Sequence, residues 1–232
     1  YKGKELSYDT KYFWTVKVWT NQSKRSTQSK IMNWKTGLMN ADNWKSNWIS
    51  VIDRDRDVPQ SPYFINDFRI NKKIISATLY ITSRGVYEAH INGERIGDSF
   101  LTPGWTSYSN RIQYQAYDIK EMLKEGENRI GVILADGWFK NFKPNQGNRI
   151  TDYGKSTSFI SEMIITYQDG SKESIIDDQN WNYHFGAIRS SSIYNGETID
   201  LNLHDHLWAH PSNQNDHMKK AQIADKYKGR LD

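Results

Sequence analysis

The chain has 232 residues, 37% hydrophobic and 25% charged, with nine Trp, fourteen Tyr, eight Phe and no Cys. The missing cysteine excludes a disulfide scaffold, a thiol nucleophile and a thiolate zinc site. The net charge of +4 is scattered in short pairs such as Lys24-Arg25, Lys72-Lys73 and Lys219-Lys220. A nucleic-acid surface gathers its charge on one face, and no apolar run here approaches the ~20 residues that span a bilayer.

Residues 4–20 read KELSYDTKYFWTVKVWT. Phe13, Thr15, Lys17 and Trp19 alternate with Trp14, Val16 and Val18, the period-2 signal of a strand. Leu6, Thr10 and Tyr12 are spaced like the tyrosine corner of fibronectin type III domains, in which a Tyr hydroxyl ties down upstream backbone. Residues 20–26 read as a polar turn and 30–36 as a last strand. Residues 1–36 are thus expected to be the closing strands of a fibronectin-like unit, with the chain starting mid-domain. Residues 37–62 form a connector, with Trp44, Trp48 and Ile49 as anchors and an exposed stretch at 53–62.

Residues 63–208 carry the main pattern. Strands are expected at 64–70, 74–82, 86–91, 112–117, 129–135, 158–167, 172–176 and 181–185, with a last one opened by Ile193-Tyr-Asn-Gly-Glu197. Asn92-Gly93 and Asp169-Gly170 are hairpin signals. Asp118-Ile-Lys-Glu121 reads as a capping box before a short helical turn that stops at Gly126. Eight or nine short antiparallel strands suit a mostly β, jelly-roll (galactose-binding-like) sandwich. Residues 209–232 read as an exit linker and the first strand of a further domain.

Nine blocks then occur in one order: Ala77-Thr-Leu-Tyr80, Gly85-Val-Tyr-Glu88, Ile91-Asn-Gly93, Ile96-Gly-Asp98, Pro103-Gly-Trp-Thr-Ser-Tyr108, Tyr114-Gln-Ala-Tyr-Asp118, Gly126-Glu-Asn128, Asp136-Gly-Trp138 and Ile193-Tyr-Asn-Gly-Glu197, followed by Asp200 and Trp208. Together they resemble the N-terminal β-sandwich region of bacterial α-L-rhamnosidases. The 141–150 loop departs from that pattern. The resemblance implies a parent glycoside hydrolase that removes terminal α-L-rhamnose with inversion. Its acid and base would be two carboxyls about 6.5–9.5 Å apart on a downstream (α/α)6 barrel. No catalytic residue transfers onto this chain. The implied partners are that barrel and a rhamnose-containing glycan, and the implied location is secreted or periplasmic.

The resemblance also implies a sandwich that binds rhamnose, in one subgroup through calcium. Trp105, Tyr108, Trp138, Phe139 and Asn92 are the candidate sugar contacts, because aromatic rings stack on sugar C–H faces and rim loops carry ligands. Calcium takes six to eight oxygens, for which Asp98, Asp136 and Asp152 are the candidates, with Asn92, Asn141 and Asn145 beside them. The same aromatics would serve equally for packing of loop on sheet or domain on domain, and Asn92-Gly93 for a turn alone. Glu88 and Glu94 read as surface carboxylates. His204, His206 and His210, with Asp205 beside them, read as surface histidines at the domain exit, since a zinc site needs three or four ligands that converge. The alternatives to an accessory region are a freestanding carbohydrate-binding module and a structural spacer.

Overall fold

A computed structural model describes residues 3–21, 23–55, 58–140, 153–214 and 217–232, with only the backbone of residues 23–25. The chain divides into two compact units, Tyr1–Trp44 and Lys45–Asp232.

Among the described residues the first unit has four strands: β1 (Lys11–Trp14), β2 (Lys17–Thr20), β3 (Ser23–Gln28) and β4 (Met32–Lys35). β1 pairs antiparallel with β4, and β2 with β3. The expected single strand is therefore broken at Thr15-Val16, and most of the expected polar turn is strand β3. The tyrosine-corner spacing forms its bond: the Tyr12 hydroxyl accepts from the Ser7 N–H at 2.7 Å, and its ring stacks on Trp34.

The second unit holds β5 (Ile49–Ser50), β6 (Pro62–Ile70), β7 (Ile74–Arg84), β8 (Val86–Ile91), β9 (Glu94–Arg95), β10 (Arg111–Ile112), β11 (Gln115–Asp118), β12 (Gly126–Ala135), β13 (Ser158–Tyr167), β14 (Lys172–Ile176), β15 (Asn182–Phe185), β16 (Ile188–Ser192), β17 (Gly196–Ile199), β18 (Lys219–Lys220), β19 (Gln222–Ile223) and β20 (Arg230–Leu231). Two six-stranded sheets result. In the first, β13 pairs β7 along one edge and β14 and β5 along the other, with β11 and β19 outermost. The second has the order β18-β15-β6-β12-β8-β9. Period-2 alternation turns Ala77, Leu79 and Ile81 of β7 and Phe159, Met163 and Ile165 of β13 against Phe64, Ile91, Ile130, Val132 and Tyr183 of the other sheet. This is the antiparallel sandwich expected from the strand pattern.

Asn92 and Gly93 take φ of 53° and 90°, the left-handed pair that a two-residue hairpin between β8 and β9 requires. The expected capping box does not form, because the N-cap of the turn is Ile119, which makes no side-chain cap bond. Asp118 Oδ1 accepts from the Lys120 N–H at 3.2 Å, while Glu121 pairs with Lys120 instead of reaching back, and the helical piece is one 3₁₀ turn, Lys120–Met122.

Two expected linkers are built into the sandwich. Ile49–Ser50 pairs with β13, and Trp48 is buried under the Arg84 guanidinium. The tail expected to enter a further domain instead supplies three short strands, with β18 on β15, β19 on β5 and β20 parallel to β10.

The outer face of the second sheet also carries apolar residues, so it requires a cover. Tyr63 and Ile65 of β6 pack there on Trp208 and Ala209, flanked by Ile133, Ile188 and Met218. The cover is the β16–β17 hairpin and the chain that follows it. Arg129 fastens it: its guanidinium binds Asp67 at 2.6 and 2.9 Å and donates to the His210 and Asn213 carbonyls at 3.1 and 2.8 Å.

Candidate functional site

The loop after β9 is tied to β8 by Tyr87 N–H donating to the Thr102 carbonyl at 2.8 Å and Thr102 Oγ1 donating to the Tyr87 carbonyl at 2.9 Å. Beyond that tether the loop separates its two candidate aromatics. Trp105 is 69% exposed, and Phe100 and Leu101 earlier on the loop are exposed as well. Tyr108 is buried. Its hydroxyl donates to the Gly104 carbonyl at 3.2 Å, and its ring packs edge-on against Phe139 and tilted against Tyr153. Phe139 is buried as well, and Trp138 is half-buried. Trp105 is thus presented to solvent, while Tyr108 and Phe139 hold the loop in place.

Asn92 is consumed internally. Its Nδ2 donates to the Met122 carbonyl and to Asn128 Oδ1, both at 2.9 Å, and its Oδ1 accepts from the Arg129 N–H at 3.0 Å. That is the work of a hairpin anchor, and it leaves little of the amide for a sugar. Asp98 is exposed. Burial pushes the Asp136 carboxyl up to about 6, with Lys140 at 3.7 Å opposing the shift. Asn141, Asn145 and Asp152 lie outside the described residues. Among the described residues, no three acidic or histidine side chains converge on a metal position.

A second candidate lies on the covered face of the second sheet. A cleft of about 340 Å³ is lined by Tyr63, Glu88, His90, Ile133, His184 and Trp208 from the sheet side and its cover. Trp208 meets Tyr63 and His90 edge-on at 5.0 and 5.1 Å. Glu88 Oε1 pairs with His90 Nε2 at 2.8 Å and Oε2 with Arg95 Nε at 3.0 Å, which together hold the carboxyl below its usual value. Burial lowers the His184 imidazole. His204 and His206, read from sequence as surface residues, stand 3.2 Å apart along the cleft. Alternation along β8 does signal that Glu88 and His90 share a face. Nothing in the sequence places His184 or Trp208 beside them.

The family model described as α-L-rhamnosidase N-terminal domain matches residues 72–232. The chain belongs to this family. A Rha78A-like, N-terminal immunoglobulin domain model matches residues 1–40, where the first unit lies. An α-L-rhamnosidase of Formosa agariphila is 35% identical over 231 residues, covering 96% of this chain and 25% of that protein. The crystal structure of the native rhamnosidase of Aspergillus terreus superposes with a TM-score of 0.90 at 31% identity, over 99% of this chain and 27% of that one. The rhamnosidase of Dictyoglomus thermophilum gives 0.88 at 34% identity, over 100% and 27%. The chain therefore spans about a quarter of the length of the rhamnosidases it matches.

Proposed function

We propose that this chain is the N-terminal accessory region of an α-L-rhamnosidase, and that it contributes non-catalytic contacts to the glycan while the chemistry resides further along the parent protein. The family match over residues 72–232 carries this reading. The parent removes terminal α-L-rhamnose with inversion, by an acid and a base on a barrel outside this chain, spaced to hold a water between them. Trp105 supplies a stacking platform on the loop after β9, since a ring that is two-thirds exposed is free to lie along a sugar C–H face. The buried Tyr108 and Phe139 fix where that platform points.

The test pairs two proteins. The full-length parent is expected to hydrolyse an aryl α-L-rhamnoside and release β-rhamnose first, seen by NMR of the nascent anomer. The 232-residue chain is expected to leave the substrate intact and to retain a rhamnose-containing polysaccharide in affinity electrophoresis. A parent inert on every α-L-rhamnoside, or one that releases the α-anomer first, would overturn the assignment.

A further inference from the structure

The cleft on the outer face of the second sheet has the composition of a ligand site. Tyr87, Ala89 and Ile91 of β8 enter the core, which turns Glu88 and His90 outward. Phe64 enters the core from β6 and turns Tyr63 outward, and Ile133 and His184 line the same face from β12 and β15. These strands are neighbours in the order β15-β6-β12-β8, so the five side chains form one floor. The cover contributes Ile188, Ile199 and Leu203 as an apolar wall and His204 to His206 as a polar one. The volume of about 340 Å³ falls at the lower end of the ~300–1,000 Å³ range of small-molecule sites.

Glycines shape the floor. A Cβ on Gly186 would stand 2.9 Å from the Tyr63 ring, and one on Gly131 would stand 2.6 Å from the Trp208 ring. Both rings can therefore lie close against backbone. Among the described residues that line the cleft, Glu88 is the one carboxylate on the sheet side, and protein donors fix its orientation. Arg95 cannot swing away, because its Nη1 and Nη2 are bound to the Gly97 and Ser99 carbonyls. Each Glu88 oxygen accepts one bond from the protein, and a carboxylate has about four lone-pair sites, so both oxygens can accept another.

We propose that this cleft binds a single neutral pyranose residue without a metal ion, with Glu88 accepting from two neighbouring hydroxyls and the exposed Ile199 and Leu203 side chains along its C–H face. Two oriented carboxylate oxygens match a vicinal diol. An aliphatic wall matches the apolar edge of a sugar ring. A purely apolar ligand would strip water from Glu88 and the histidines with nothing in return. An acidic sugar or a phosphate would meet two carboxylates, Glu88 and Asp205. The site is separate from Trp105 and needs none of the calcium candidates. It rests on the accessory-region reading only for the choice of sugar probes.

The test is titration of the 232-residue chain with L-rhamnose, D-galactose and D-glucuronate by protein-observed NMR, with and without EDTA. Ile199→Arg fills the mouth from a half-exposed strand position, and Glu88→Gln removes the charge while keeping the shape. Circular dichroism confirms that each variant is folded. Saturable binding of at least one neutral sugar at millimolar concentration is expected, unchanged by EDTA. Each variant should weaken it about tenfold or more, and D-glucuronate should bind about tenfold or more weakly than the best neutral sugar. No binding of either neutral sugar would overturn the proposal. So would binding lost with EDTA, binding unaffected by Ile199→Arg, or glucuronate bound as tightly as the neutral sugar. An inactive parent enzyme leaves all of these outcomes unchanged, so the two readings fail separately.

Discussion

Asn128→Ala is expected to destabilise the second unit strongly, because one fully buried amide serves four partners. Its Nδ2 donates to the Lys124 carbonyl at 2.7 Å and the Gly126 carbonyl at 3.0 Å, and its Oδ1 accepts from the Lys124 N–H at 3.0 Å and Asn92 Nδ2 at 2.9 Å. Alanine strands all four. A buried polar group left unpaired costs roughly 1–3 kcal/mol. The Lys124 groups lie near the surface and can recruit water, so about two full penalties remain, or roughly 3–5 kcal/mol. For a unit of this size that is a fall in Tm of the order of 10 °C. Urea unfolding followed by tryptophan fluorescence measures it. Asn92→Ala should cost less, about 1–3 kcal/mol, and the two should couple in a double-mutant cycle, since they share a hydrogen bond. A loss below about 1 kcal/mol for Asn128→Ala, or additive effects of the pair, would refute the reasoning. It would also return Asn92 to the pool of free binding residues.

Other expectations follow from single contacts. Asp55 accepts from the Tyr183 hydroxyl and from Lys219 Nζ, both at 2.6 Å. Asp55→Ala should cost about 2–4 kcal/mol in a urea titration, because a buried hydroxyl and an ammonium lose their partner together. Gly131→Ala should cost about 1–3 kcal/mol and change the tryptophan emission, because Trp208 must leave its seat. Trp105→Ala should leave stability within about 0.5 kcal/mol yet weaken retention by a rhamnose-containing polysaccharide; unchanged retention would remove Trp105 from the glycan contacts. The folded-state carboxyl of Glu88 lies below its ordinary value of 4.5. Its stabilising contribution is therefore present above the unfolded value and lost as pH falls through the folded one. The stability gap between wild type and Glu88→Gln should shrink on acidification below about pH 5.

The long strands and tight turns were legible because their causes are local. Ala77, Leu79 and Ile81 alternate within one strand, and Asn92-Gly93 needs only its own two residues to favour a left-handed pair. Ser23–Gln28 escaped because Lys, Arg, Ser, Thr and Gln give no apolar alternation. Strands of two residues, such as Ile49–Ser50 and Gln222–Ile223, carry no period at all and exist because each pairs with the other across 172 to 174 positions of chain. The candidate site divides in the same way. The exposure of Trp105 is a property of one loop. The cleft joins Glu88 to Trp208 and His184, which only sheet order brings together.

That division explains why a boundary near residue 208 is misleading. The pattern of strong strands stops there, so composition alone suggests a linker beyond it. Yet Ala209 is fully buried on the outer face of the second sheet, and the His210 and Asn213 carbonyls hold the buried Arg129 guanidinium. Lys219 completes the Asp55 pair, Ala221 N–H donates to the Trp181 carbonyl at 3.0 Å, and Leu231 is buried beside Ile112. Each bond is made by a residue that looks solvent-loving or isolated in sequence, and together they satisfy Arg129 of β12 and the Asp55 and Trp181 groups that lie outside the strands. The tail thus extends both sheets of the sandwich at their edges. It fastens the cover whose incomplete closure over Tyr63, Glu88 and His90 creates the cleft.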